Sequence, residues 1–181
     1  MDKSSMIEIR PLEASEAAKA TDFDHSYHTD HVWQMKIQSD GTQIGVTFLE
    51  VRLPRSMHVE YPYTLDENIP DKRPVTSAFM AEVKGEAAGY INLVLGRAPQ
   101  AVWISDLAVL RRMRRQGIGT KLALQAQKWA REQDCSRVVL EMQSKNYPAI
   151  CLANKLGFEF SGFSDQYYSN QDIALFFTRR L

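Results

Sequence analysis

A strand running into a glycine-marked helix start, with four arginines between them, restricts this chain more than any other feature. The stretch reads ISDLAVLRRMRRQGIGTKLALQAQKWAREQ: the apolar run ends at Val109, Arg111, Arg112, Arg114 and Arg115 follow, and Gly117 and Gly119 sit where an amphipathic pattern begins. Ile118, Leu122, Ala126 and Trp129 recur every three to four positions and define a buried helix face. Lys121, Gln125, Lys128 and Arg131 lie toward solvent. Two glycines at a helix start let a ligand approach the backbone without interference from Cβ, and N–H groups point outward at the positive end of the dipole. This predicts an anion site, and the arginines around it suit a multiply charged group such as a nucleotide pyrophosphate. A charged surface turn that merely precedes a helix is the structural alternative. Neither G-x-G-x-x-G nor G-x-x-x-x-G-K-[ST] is present, which excludes a dinucleotide fingerprint and a P-loop.

Around this unit the periodicity predicts a first strand through Ile7 and Ile9 ending near Pro11, and a helix over residues 13–23. A strand follows over 42–53 after the Asp40-Gly41 turn, then a long, irregular, proline- and tyrosine-bearing connection over 54–74. Strands over 77–83 and 87–95 form a hairpin around Lys84-Gly85-Glu86. Further strands are expected over 102–109, 137–142 and 173–178, with helices over 118–132 and 149–156. In the second helix Asn146 stands near the cap, Pro148 close to the first turn and Gly157 just past the end. Ala149, Leu152 and Leu156 are its expected core face. The order is that of an α/β protein with a mixed central sheet flanked by helices, in a single domain over residues 1–181.

Lys plus Arg equals Asp plus Glu at 22 each among the 181 residues, so no long-range attraction to nucleic acid is expected. The N-terminus lacks an apolar signal core, and no apolar run reaches the roughly 18 residues of a membrane span. Together with two cysteines outside any C-x-x-C pair, Cys135 and Cys151, both read as buried free thiols, this predicts a cytoplasmic protein without a membrane partner.

The glycine turn resembles the acetyl-CoA signature [Q/R]-x-x-G-x-[G/A] of the GCN5-related N-acetyltransferase (GNAT) superfamily, met here by Arg114-Arg115-Gln116-Gly117-Ile118-Gly119. The resemblance implies the GNAT-type acyl-CoA N-acyltransferase fold, with acetyl-CoA as acyl donor and backbone N–H groups from Gln116 to Thr120 around the pyrophosphate. It further implies that the strand through Leu107 and Val109 runs beside the pantetheine arm. NYPAICLANKLGF is similar to the family's N-x-x-A-x-x-x-Y-x-k-x-G-F element, which implies that Asn146 contacts pantetheine. The chain departs from that pattern where the tyrosine that protonates the leaving thiolate in many relatives falls on Ala153. Family members are often dimers, so a homodimer is implied.

Acetyl transfer needs a neutral amine held against the thioester carbonyl, a group to take its proton, and donors for the developing oxyanion. Two acids interrupt otherwise apolar strands: Asp106 in AVWISDLAV and Glu141 in VVLEMQ. Each is a candidate general base, directly or through water. The structural alternatives are a bulge-shaping hydrogen bond for Asp106 and an ion pair with Arg137 or a lysine for Glu141. Tyr168 is the candidate proton donor to the sulfur; its alternative is packing over the sheet end.

Three of the four histidines fall in HSYHTDHVWQM, where His25, His28 and His31 at spacings of three would share a face were the segment helical. No fourth strong ligand accompanies them, and no metal is expected. The stretch Phe23-Asp24-His25-Ser26-Tyr27-His28-Thr29-Asp30-His31-Val32-Trp33 is similar to that of the streptothricin acetyltransferases, which modify the β-lysine part of an antibiotic. The resemblance implies a small cationic amine as acceptor and antibiotic resistance as role, with Tyr27, Asp30, Tyr61 and Tyr63 placed to meet the cation. A peptide or protein amine is the alternative acceptor, and a non-catalytic acyl-CoA-binding module the alternative class.

Overall fold

The computed structural model describes residues 7–16, 20, 23–62 and 75–181. Strand β1 is Ile7–Pro11. A single 3-10 turn at Ala14–Glu16 follows where a longer helix is expected; most of 13–23 beyond that turn lies outside the described residues. Two long strands, β2 (Tyr27–Ser39) and β3 (Ile44–Val59), pair as a separate two-stranded antiparallel sheet. Then come β4 (Ser77–Val83), β5 (Glu86–Leu95), β6 (Ala101–Val109), helix α1 (Ile118–Glu132), β7 (Arg137–Gln143), helix α2 (Tyr147–Lys155), β8 (Glu159–Ser164) and β9 (Ala174–Arg180). Seven strands form one sheet in the order β1-β4-β5-β6-β7-β9-β8. Every pairing is antiparallel except β6 with β7. A parallel pair needs a crossover, and α1 supplies it.

Local chemistry accounts for the elements that set the frame. The β4–β5 hairpin turns on Lys84 and Gly85, whose φ angles are +55° and +77°, the two left-handed residues of a tight hairpin turn. Helix α1 spans the predicted residues and buries Ile118, Leu122, Ala126 and Ala130 against the sheet; Trp129 is only half-buried. Alternation along the central strands builds a core on each face. Phe79, Ala81, Ile91 and Leu93 join the core with α1, while Met80, Tyr90 and Ala108 pack with Phe23.

Two expectations are corrected, and one strand is added to those expected. The segment from Tyr27 is a strand, and a bulge between Thr29 and His31 is why its period was hidden. Tyr27 and Thr29 are buried, then the inward phase shifts to Val32. The stretch from Pro54 to Val59 belongs to β3 instead of an irregular connection, and residues 63–74 lie outside the description. Pro54 falls in the bulged part opposite Asp30, where its missing N–H breaks no ladder bond. In α2 the buried residues are Ile150 and Ala153, not Leu152, and Cys151 is half-buried.

Gly89 marks how tightly β5, β6 and α1 meet: a Cβ there would lie 2.8 Å from the Ala108 carbonyl oxygen and 3.1 Å from Ile118. Gly89→Ala is expected to cost about 1–3 kcal/mol by overpacking against backbone that has no room to yield. Thermal denaturation measures it, and an unchanged midpoint would contradict the packing.

Candidate active site

The site begins where two strands part. β6 and β7 pair only from Ala101–Ile104 with Arg137–Leu140, although both continue. Opposite β5, Asn92 faces Asp106 and Leu93 faces Ile104, so Ser105 is the extra residue of a bulge that bends β6 at the parting. Beyond it opens a cleft of about 450 Å³, walled by Leu107 and Val109 of β6, the start of α1, and Asn146 and Leu152 at α2. A smaller recess of about 80 Å³ holds Asp106, Glu141 and Tyr61. His25, Leu107, Asn146, Ala149 and Leu152 line both, so the two join.

At the outer end Gly117 is the α1 N-cap at φ +88°, with no side-chain cap and no acid in the first turn. The first N–H groups of a helix have no intrahelical acceptor. A Cβ on Gly117 would meet no protein atom within 4 Å, so the space over these donors is open to a ligand. Gly119 and Thr120 line the cleft, as does Ile118, whose side chain is buried. Arg115, at φ +64°, is exposed on the cleft wall. A donor-rich end followed by the apolar Leu107, Val109 and Leu152 suits a pyrophosphate with an extended arm.

Two residues of the expected donor site are bonded to backbone carbonyls, Arg114 while also lining the cleft. Arg114 bonds three carbonyls: Nε to Val109 at 2.9 Å, Nη1 to Ser26 and Nη2 to Asp24, both at 2.8 Å. It clamps the end of β6 to the chain before β2. Gln116 is exposed, bonds the Arg112 carbonyl at 3.3 Å and does not line the cleft. Asn146 caps α2 by accepting from the Ala149 N–H at 3.2 Å while also lining the cleft.

At the inner end the two acids differ. Glu141 Oε2 accepts from Arg97 at 2.9 Å and from Trp103 Nε1 and the Tyr167 hydroxyl, both at 3.0 Å. Its ion partner is therefore Arg97, not Arg137 or a lysine. Asp106 Oδ2 accepts from the Tyr90 hydroxyl, and His25 Nε2 lies 2.7 Å from that hydroxyl and 3.4 Å from the carboxylate. His25 and Tyr90 were not predicted. Tyr90 pairs with Ala108 across β5 and β6, so it is the diagonal neighbour of Asp106 on the same face, a relation that only the strand register reveals.

The tyrosines are redistributed. Tyr168 does not line the cleft or the recess; its hydroxyl is buried and its ring packs against Tyr61, centroids 5.8 Å apart. Tyr61 is the phenol in the recess, and burial raises its pKa, and that of Tyr168, well above the ordinary value. Tyr27 lines the outer cleft, but its hydroxyl donates to Gln143 at 2.9 Å. Asp30 is exposed and pairs with His31 at 2.9 Å, away from both cavities. Tyr63 lies outside the described residues. Ala153 is fully buried and carries no cleft function. His28 and His31 are on strand β2, so the three histidines share no helical face.

The acetyltransferase (GNAT) family model matches residues 45–158. A streptothricin acetyltransferase of Streptomyces lavendulae is 24% identical over 165 residues, covering 91% of this chain and 87% of that protein. An N-alpha-acetyltransferase of Sulfurisphaera tokodaii is 34% identical over 113 residues, covering 53% of this chain and 64%, less than two thirds, of that protein. A Bacillus anthracis protein solved in complex with acetyl coenzyme A superposes with a TM-score of 0.73 at 23% identity, over 97% of this chain and 99% of its own.

Gly117→Glu puts a β-carbon and a negative charge into the open space over the helix start, at a φ that L residues rarely adopt. Calorimetry should find CoA affinity reduced more than about tenfold with the circular dichroism spectrum retained. Equal affinity would remove the helix start from donor binding.

Proposed function

Because the chain belongs to the acetyltransferase (GNAT) family, we propose that it moves the acetyl group of acetyl-CoA directly onto a primary amine of a small cationic molecule of the streptothricin type. The observation that carries the proposal is the continuity of the cleft. It leads from an uncapped helix start, suited to pyrophosphate, past apolar walls to a recess with a carboxylate on each parted strand. The relative that matches this chain over 91% of its length supports the acceptor class.

An alkyl amine with a pKa near about 10 is cationic at neutral pH and must lose a proton to attack. Asp106 is the base in this reading. Glu141 Oε2 is taken up by three donors, one of them cationic, which fits a residue that shapes the recess. The ammonium gives one proton to Asp106; the neutral nitrogen then attacks the thioester carbonyl, the C–N bond forms, the C–S bond breaks, and the nitrogen's second proton replaces the one that Tyr61 gives to the sulfur. The sulfur leaves as a thiolate, and Tyr61 is the phenol in the recess that supplies a proton to it. Tyr61 thereby takes the role that the sequence suggested for Tyr168. No covalent enzyme intermediate is needed.

The N-alpha-acetyltransferase relative favours a second reading, a peptide amine as acceptor. Thiol release from acetyl-CoA, measured with streptothricin, spermidine, lysine, aminoglycosides and a lysine peptide, separates the two. Saturable release with streptothricin supports the proposal, release only with the peptide supports the second reading, and release with none favours a binding module. Asp106→Asn should lower turnover by about 10²-fold or more while leaving acetyl-CoA affinity unchanged. A variant at full rate would exclude Asp106 as base.

A further inference from the structure

Resting on the acetyltransferase reading, we propose that Asp106, Tyr90 and His25 form a proton relay that carries the amine's proton from the recess to the outer cleft. The relay ends on His25. The three groups come from different parts of the chain: β6, β5 and the segment before β2. They meet in a direct chain of contacts, with the Tyr90 hydroxyl between the Asp106 carboxylate and Nε2 of His25. The side chains of Asp106 and His25 are 8% and 12% exposed, so the path is screened from bulk water along most of its length. His25 lines both the recess and the outer cleft, which gives the proton an exit that Asp106 lacks.

His25 sits on an irregular segment, yet it is held on both sides. Arg114 bonds the carbonyls of Asp24 and Ser26, the residues that bracket it, at 2.8 Å each. The Asp24 carboxylate accepts from the Ser26 N–H at 2.8 Å, closing a local turn around it. Its ring meets Tyr90 edge-on, with centroids 6.0 Å apart. A loop residue fixed by a half-buried guanidinium and two aromatic neighbours, Tyr90 and Tyr61, has the preorganisation that proton transfer requires.

The transfer balances with His25 neutral and its proton on Nδ1. Before the attack the N–H bond of the substrate ammonium breaks and an O–H bond forms on Asp106; the Tyr90 hydrogen, which Asp106 accepts at rest, then turns to Nε2 of His25. The Asp106 proton passes to the Tyr90 oxygen while the Tyr90 proton passes to Nε2 of His25. Asp106 is again a carboxylate, Tyr90 again a phenol, and His25 is an imidazolium at the cleft wall, where solvent takes the proton. The relay thus returns Asp106 to its basic form in each turnover.

The test compares Tyr90→Phe, His25→Gln and the double variant with the wild type, using an amine that the wild type acetylates. Phenylalanine keeps the ring packing of Tyr90 and removes only its hydroxyl. Glutamine keeps a donor able to reach Tyr90 but cannot pass a proton on. Each single variant should lose about tenfold or more in kcat, with KM and calorimetric affinity for acetyl-CoA unchanged, and the double variant should be no slower than the slower single one. Full kcat in either single variant would overturn the relay, as would multiplied losses in the double variant. A lost affinity for acetyl-CoA or a collapsed melting transition that accompanies the loss of kcat in both single variants would assign the pair a structural role and overturn it equally. A wild type that acetylates no amine in the panel would overturn the acetyltransferase reading and the relay together. An active wild type with active variants would overturn the relay alone.

Discussion

The separation of β6 from β7 after four paired positions is the constraint from which the rest of the site follows. Parallel strands joined by a helix would normally stay paired and leave no cavity between them. Here the Ser105 bulge bends β6, and the unpaired edges must be covered by something other than a strand. Helix α1 begins at one side of the opening and α2 is capped at the other, so an uncapped helix start, an apolar wall and two carboxylates face one space. A buried acid in mid-strand would be costly in a continuous sheet; at the parting it has a solvated or liganded side.

The arginine-rich turn divides its labour in a way its composition conceals. Arg115 stands exposed on the cleft wall, while Arg114 turns inward onto three carbonyl oxygens. Carbonyls left unpaired at a strand end and in an irregular segment would carry a desolvation penalty, and one guanidinium fork satisfies three of them at once. Arg114 thus ties two segments of backbone together while it also lines the cleft.

What the sequence made legible was local. Helix α1, the Lys84-Gly85 turn and the Asn146 cap are each decided by residues within a few positions of one another, and each was read correctly or within two residues. The uncapped start of α1 at Gly117 was legible for the same reason, because a glycine-marked helix start is a local signal. Strand β2 was missed because its bulge shifts the inward phase from Thr29 to Val32 and breaks the alternation. The short edge strand β8 was missed because Ser161 and Gly162 read as loop and its own bulge interrupts it. His25 and Tyr90 were illegible because their contact joins residues 65 apart in the chain, through a register that no local pattern records. Asp30 and Tyr27 carried a resemblance, yet which face of a bulged strand they occupy depends on the pairing partner.

Ala153 is fully buried in the core, whereas Ala149 and Leu152 of the same helix line the cleft. A protein engineer wishing to install a phenol in the cleft would find position 153 closed, since a tyrosine ring there would have to displace neighbouring core side chains. The cleft-facing positions are 149 and 152, about one helical turn and one residue before the position that the family pattern would recommend. The family pattern and the usable position differ because helix rotation, not residue spacing alone, decides which side chain reaches the chemistry.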